Sequence, residues 1–270
     1  MSDAPIGVFD SGVGGLTVLR ALLAELPSED FIYLGDTARL PYGTKSPETV
    51  GRYALQASEA LGEYGIKCLV VACNTASSVG LGAIRDHLER TPVIGVIEPG
   101  ADAACAISKS GHIAVIATES TVRGGAYQEA IVRRRSDARV SAKPAQLFVA
   151  LAEEGLHEGP IAEGVAHHYL DPLFPRDAVA PDTLVLGCTH FPMLVASIRA
   201  AVGPKVHIVD SAATTAKTVR EQLRTSGLAR TGAGGSIRFL ATDGAERFAR
   251  VGSRFLNRTV RADEVELVDL

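Results

Sequence analysis

The chain has no tryptophan, and aromatic residues make up only 5% of its 270 positions. Stacking platforms for nucleic-acid bases are built from flat rings, so that mode of recognition has little to work with. Positive charge is not in excess either. Lys and Arg total 27 against 31 Asp and Glu, a net charge of −4, whereas nucleic-acid-binding faces are usually basic. No apolar run approaches the roughly 18 residues of a membrane span. The segment Met1 to Pro5 lacks the basic and apolar regions of a signal peptide. The expectation is a soluble, cytoplasmic protein. Its four cysteines are then read as free thiols, not as a disulfide framework. The six lysines sit mostly in presumed surface loops or at strand starts, so none offers the pocket a pyridoxal cofactor needs.

What is present is a core-forming composition, 46% hydrophobic and 21% charged, and one stretch that occurs twice. Leu69-Val70-Val71-Ala72-Cys73-Asn74-Thr75 is echoed by Leu184-Val185-Leu186-Gly187-Cys188-Thr189-His190. Each is a short apolar run, read as a buried strand, followed by a cysteine and a helix start. Open α/β sheets bind ligands where strand gives way to helix, and helix N–H groups there lower a thiol's pKa. Around these copies, strands alternate with helices, which predicts parallel sheets. Strands are expected at 5–9, 31–34, 69–72, 93–97, 113–117, 140–142, 184–187, 206–209 and 237–241. Helices are expected at 16–26, 47–64, 74–88 and 100–109, from 118 to the basic run Arg133-Arg134-Arg135, and near 146–154 and 160–171. Ser211 is expected to cap a further helix, and Asp243 with Glu246 a last one. The arginine run reads as a solvated helix C-terminus.

Several motifs admit plainer readings. Gly12-Val13-Gly14-Gly15 follows the first strand, and Asp36 ends the second, as in a dinucleotide site. The fingerprint requires glycine at 17, however, where Thr17 stands. A tight turn approached closely by another group is the alternative. Cys68 and Cys105 read as small core residues. Cys68 and Cys73 lie five apart on a strand and point to opposite faces, and no histidine has ligand spacing to them, so no metal site is expected. His190, beside Cys188, is a partner for tuning its ionisation.

Two thiols facing one cavity suit proton transfer on opposite faces of a planar carbanion, one removing a proton and the other returning one. Thiolates are also less hydrated than carboxylates, which favours a dry site. At this point Asp10-Ser11-Gly12-Val13-Gly14-Gly15-Leu16, Pro41-Tyr42-Gly43, Cys73-Asn74-Thr75-Ala76-Ser77 and Gly187-Cys188-Thr189-His190-Phe191-Pro192 resemble the signatures of the glutamate racemases, in order and over nearly the whole chain. The resemblance implies two pseudo-symmetric α/β domains with mostly parallel central sheets, 1–97 plus 208–270 and 98–207, and an active site in the cleft between them. It implies interconversion of L- and D-glutamate without cofactor or metal, supplying D-glutamate for peptidoglycan, in a homodimer with no membrane or direct nucleic-acid partner. By the family pattern Cys73 takes the proton from D-glutamate and Cys188 from L-glutamate, assisted by Asp10, Glu153 and His190. The same pattern sets Ser11, Pro41, Tyr42, Gly43, Asn74, Thr75, Thr118, Thr121 and Thr189 around the substrate. Hydroxyls, an amide and backbone N–H groups bind carboxylates without a fixed cation beside the thiols. Tyr42 and Gly43 are expected to grip the side-chain carboxylate.

Rival readings are a racemase of aspartate or another acidic amino acid, a decarboxylase needing one cysteine, and a two-lobed glutamate-binding protein without chemistry. Aspartate racemases resemble the chain less, since an acidic residue typically follows their second Cys-Thr, where His190 stands here. Paired thiols have no purpose in the other two.

Overall fold

The computed structural model describes residues 3–175, 179–232 and 234–270. The chain opens with β1 (Ile6–Asp10), α1 (Leu16–Glu25), β2 (Phe31–Gly35), α2 (Pro47–Glu63) and β3 (Cys68–Val71). It continues with α3 (Asn74–Val79), α4 (Leu81–His87), β4 (Val93–Gly95) and α5 (Ile97–Ile107). Next come β5 (His112–Ala117), α6 (Glu119–Gly124), α7 (Ala126–Arg134), β6 (Arg139–Pro144), α8 (Leu147–Glu154) and α9 (Pro160–Leu170). The last elements are β7 (Thr183–Gly187), α10 (Val195–Val202), β8 (His207–Asp210), α11 (Ser211–Thr225), β9 (Ile237–Ala241), α12 (Ala245–Leu256) and β10 (Val265–Leu267).

The strands form two parallel sheets, ordered β10-β9-β2-β1-β3-β4 and β6-β5-β7-β8. Parallel strands are joined by helices that cover both sheet faces, so the strands must be apolar on both sides. Accordingly β1, β2, β5 and β7 are buried at every position. The order β2-β1-β3-β4 repeats as β6-β5-β7-β8. By that match β1 corresponds to β5, and β3 to β7. In each sheet the chain moves first to one side of its opening strand and then to the other, leaving a crevice at the strand ends. Asp10 and Cys73 stand at the first crevice, Thr118 and Cys188 at the second.

Alternate strand residues enter different layers. Val8, Cys68 and Val70 share one apolar cluster with Ile116, Leu184 and Leu186, so a single core runs between the sheets. Phe9, Leu69 and Val71 pack beneath α2 on the far side of the first sheet. Ile113, Val115 and Val185 pack beneath α5 and α7 on the far side of the second.

The structure differs from the sequence expectations in several places. β8 pairs with β7, so the boundary expected between 207 and 208 falls inside a strand of the second sheet. The helix expected over 74–88 breaks at Gly80, where a Cβ would lie 3.1 Å from Ala54 of α2. The helix expected from 118 to the arginine run breaks at Gly125, which takes φ +71°. α11 is capped by Asp210, whose carboxylate accepts from the Ala212 N–H, and not by Ser211. Gly244, not Asp243, precedes α12, with no side-chain cap. The arginine run is tied down: Arg133 and Arg134 bind Glu98, and Arg134 also binds Asp102, joining α7 to α5. The edge strand β10 has no counterpart among the expectations.

Candidate active site

Cys73 lies just past β3, at the start of α3, where its sulfur accepts from the Ala76 N–H at 3.5 Å and its S–H donates to Ser11 Oγ at 3.5 Å. Cys188 lies just past β7, its sulfur 3.8 Å from His190 Nδ1. Both thiols open onto one cavity of about 490 Å³, counting the solvent at its mouth. Of the residues expected to form a site, Ser11, Pro41, Tyr42, Gly43, Asn74, Thr75, Thr118, Glu153, Thr189 and His190 line it with them. Asp10 and Thr121 stand behind that wall. Thr121 shares hydrogen bonds with Thr75 (3.2 Å) and Thr118 (3.0 Å). The Asp10 carboxylate accepts from the Gly12 N–H at 2.9 Å.

The two thiols have different surroundings. Burial, reinforced by the charge of Asp10, pushes the Cys73 thiol up to about 12, against the pull of Ala76 N–H and Ser11. The lowering expected from a helix start is therefore reversed, because desolvation outweighs one weak N–H···S contact. Burial also raises Asp10, although N–H groups of Gly15, Gly12 and Ser11 and the charge of His190 pull it back. On the Cys188 side, burial opposes a charged imidazole at His190. Hydrogen bonding to Cys188 and Glu153 prevails and lifts His190 to about 10. Glu153 Oε1 accepts from His190 Nε2 at 3.1 Å, and Arg247 donates to Oε2 at 2.8 Å. Burial works against the Glu153 carboxylate, but His190, and Arg247 behind it, hold its carboxyl below the usual range. His190 thus stands beside Cys188 with the Glu153 carboxylate behind it.

The glycine-rich turn makes this proximity possible. A Cβ on Gly14 would lie 2.4 Å from the His190 ring and Thr189 Oγ1, and one on Gly15 would lie 2.5 Å from Asp10 Cβ. What approaches the turn is the site's own side chains. Asp36, the other half of the dinucleotide reading, is fully buried and accepts from Arg39 Nε (2.7 Å) and Thr242 Oγ1 (3.0 Å). The Tyr42 hydroxyl also donates to Asp36. Tyr42 therefore offers the cavity its backbone and ring, not its hydroxyl. Gly43 sits against Thr118, where a Cβ would approach to 2.7 Å.

Two buried polar atoms at the cavity have no partner, the Asn74 Nδ2 donor and the Gln146 Oε1 acceptor. Tyr127, from α7, donates to Asn74 Oδ1 at 2.7 Å and so fixes which way that amide faces. Gln146, Tyr127 and Arg247 were not singled out from the sequence, since none lies in a motif. Cys68 is fully buried and pushed up to about 12 by burial. Cys105 is half-buried, its S–H facing the Ile131 carbonyl at 3.7 Å. Among the described residues no cluster of His, Cys, Asp or Glu is placed to hold a metal ion. Nor is any helix there long and apolar enough to cross a membrane.

Residues 6–219 match the Asp/Glu/Hydantoin racemase family. The glutamate racemase of Geobacter metallireducens is 51% identical over 93% of this chain and 92% of its own. Among solved structures, glutamate racemase from Francisella tularensis in complex with D-glutamate superposes with a TM-score of 0.92 at 35% identity, covering 100% of this chain and 98% of that one. A glutamate racemase isoform from Bacillus anthracis gives 0.94 at 36% identity, covering 100% and 99%.

Proposed function

Because the chain belongs to the Asp/Glu/Hydantoin racemase family, we propose that it is a glutamate racemase that interconverts L- and D-glutamate with two thiols as acid and base. The observation that carries this reading is that Cys73 and Cys188, one from each sheet, line the same small cavity. The near-full-length likeness to glutamate racemases supports glutamate as the substrate. Cys188, as thiolate, takes the α-proton of L-glutamate. The electron pair passes into the α-carboxylate as an enediolate, stabilised by N–H and O–H donors around it. Cys73, protonated at neutral pH because burial holds it near 12, returns a proton to the other face. The product is D-glutamate, with the thiol and thiolate exchanged. The reverse reaction starts from the Cys73 thiolate, and the substrate ammonium supplies the positive charge that this wall lacks. Asp10 acts from behind Cys73, and Glu153 with His190 from behind Cys188. In the same reading the enzyme works in the cytoplasm as a homodimer and supplies D-glutamate for peptidoglycan, three points that rest on the family resemblance.

The test is L-glutamate in D₂O with no added cofactor and with chelator present. Loss of optical rotation should accompany deuterium at the α-carbon, and Cys73→Ala and Cys188→Ala should each abolish racemisation. A folded protein that racemises aspartate and leaves glutamate untouched would overturn the substrate. Binding of glutamate without any exchange would overturn the chemistry.

A further inference from the structure

We propose that Arg247 is a positioning residue for the Cys188 half of the site, holding Glu153 so that His190 stays oriented and charged beside the thiol. The inference rests on Cys188 acting as a base in the racemase reading. It starts from one continuous line of contacts. Arg247 Nη2 meets Glu153 Oε2 at 2.8 Å, Glu153 Oε1 meets His190 Nε2 at 3.1 Å, and His190 Nδ1 faces Cys188 Sγ at 3.8 Å. Each carboxylate oxygen has its own cationic partner, so the Glu153 carboxylate is fixed from both ends. Without Arg247 its outer oxygen has no partner in this line, and the carboxylate is able to turn toward solvent.

The elements involved make the link more than local. Arg247 lies on α12, Glu153 on α8, and His190 just past β7. α12 belongs with the first sheet, packing on α1 and against β10, and it also sets the Phe255 ring edge-on to His190 at 5.2 Å. α12 therefore reaches the imidazole of the opposite unit twice, through Glu153 and by the Phe255 ring. Among the described residues no cation is paired behind Cys73, which meets Ser11, the Ala76 N–H and the charge of Asp10. The groups facing His190 are Glu153 from α8, Cys188 and Thr189 from its own segment, Asp10 from β1, and the Gly14 turn. Arg247 acts on it through Glu153. Half of the Arg247 side chain is exposed, so its replacement need not disturb the core.

The experiment is a histidine NMR titration of the whole protein with labelled imidazoles, the His190 signal being identified by its loss in His190→Gln. Arg247→Gln should lower the His190 titration midpoint by about one pH unit, a tenfold loss of proton affinity. The alkaline limb of kcat/KM should move down with it. Arg247→Lys, which keeps a point charge without the planar fork, should restore part of both. Arg250→Gln, exposed three residues further along α12, is the control and should change neither. An Arg247→Gln protein whose His190 midpoint and alkaline limb match those of the unaltered protein overturns the inference, even if its melting temperature falls. If the unaltered protein does not exchange the α-hydrogen of glutamate, the racemase reading fails while the His190 titration still decides the Arg247 link.

Discussion

At the level of single residues, Asp10 shows how function costs stability here. It ends β1 with its carboxylate enclosed, and burial raises its pKa above that of an exposed aspartate. A carboxyl whose folded pKa exceeds its unfolded value favours folding at low pH and loses that contribution as pH rises through the folded value. Asp10→Asn keeps an acceptor for the Gly12 N–H and removes the buried charge. We expect it to melt at a higher temperature than the unaltered protein at pH 8, with the gain shrinking toward pH 4, while kcat falls. A gain independent of pH, followed by differential scanning calorimetry, would contradict that account. Asp10, Cys73, Cys188 and His190 were legible in the sequence because each sits in a short motif of small residues at a strand end. Glu153 was separable from Glu154 only by contact with His190, since the two carboxylates follow one another in the chain. Arg247 was not legible at all. It is 94 residues from Glu153, and nothing near it signals that distance being closed.

Among the elements, those with a strong period were legible and their breaks were not. α2 begins at Pro47, as expected, with the Ser46 hydroxyl accepting from the Thr49 N–H. The helix expected after Thr118 breaks because Gly125 adopts the left-handed conformation, which a sequence permits at any glycine but does not announce. The break separates α6 from α7, and at the start of α6, just past β5, Thr118 and Thr121 meet Thr75 across the cleft. Gly125→Ala should cost about 1 kcal/mol in urea unfolding, because alanine in the left-handed conformation brings its Cβ against the following carbonyl. The edge strand β10 escaped notice for a different reason. It is three residues long, and two of its side chains are exposed, so it carries no buried alternation to read.

Across the whole molecule, the repeated four-strand order explains why the two cysteines looked alike in the sequence yet are not equivalent in the structure. The matched crevices face each other, but their outer supports differ. The second unit sends Tyr127 to the first, and the first sends Thr17 and α12 to the second. Tyr127 is fully buried, and its hydroxyl donates to Asn74 Oδ1, leaving Asn74 Nδ2 as a buried donor without a partner at the cavity. The arrangement makes one unit orient an amide at the cavity wall of the other. Tyr127→Phe removes the donor and keeps the ring, so the apolar packing beneath α7 persists while the amide is released to turn. A lost hydrogen bond of this kind is worth about 1 kcal/mol, which predicts a KM for glutamate raised about fivefold. kcat should change less, because neither thiol is touched. The check is steady-state kinetics in both directions. With equal free energies for the two enantiomers, kcat/KM must fall by the same factor from L and from D. A fall in kcat at unchanged KM would mean that Asn74 serves the transition state and not the bound substrate.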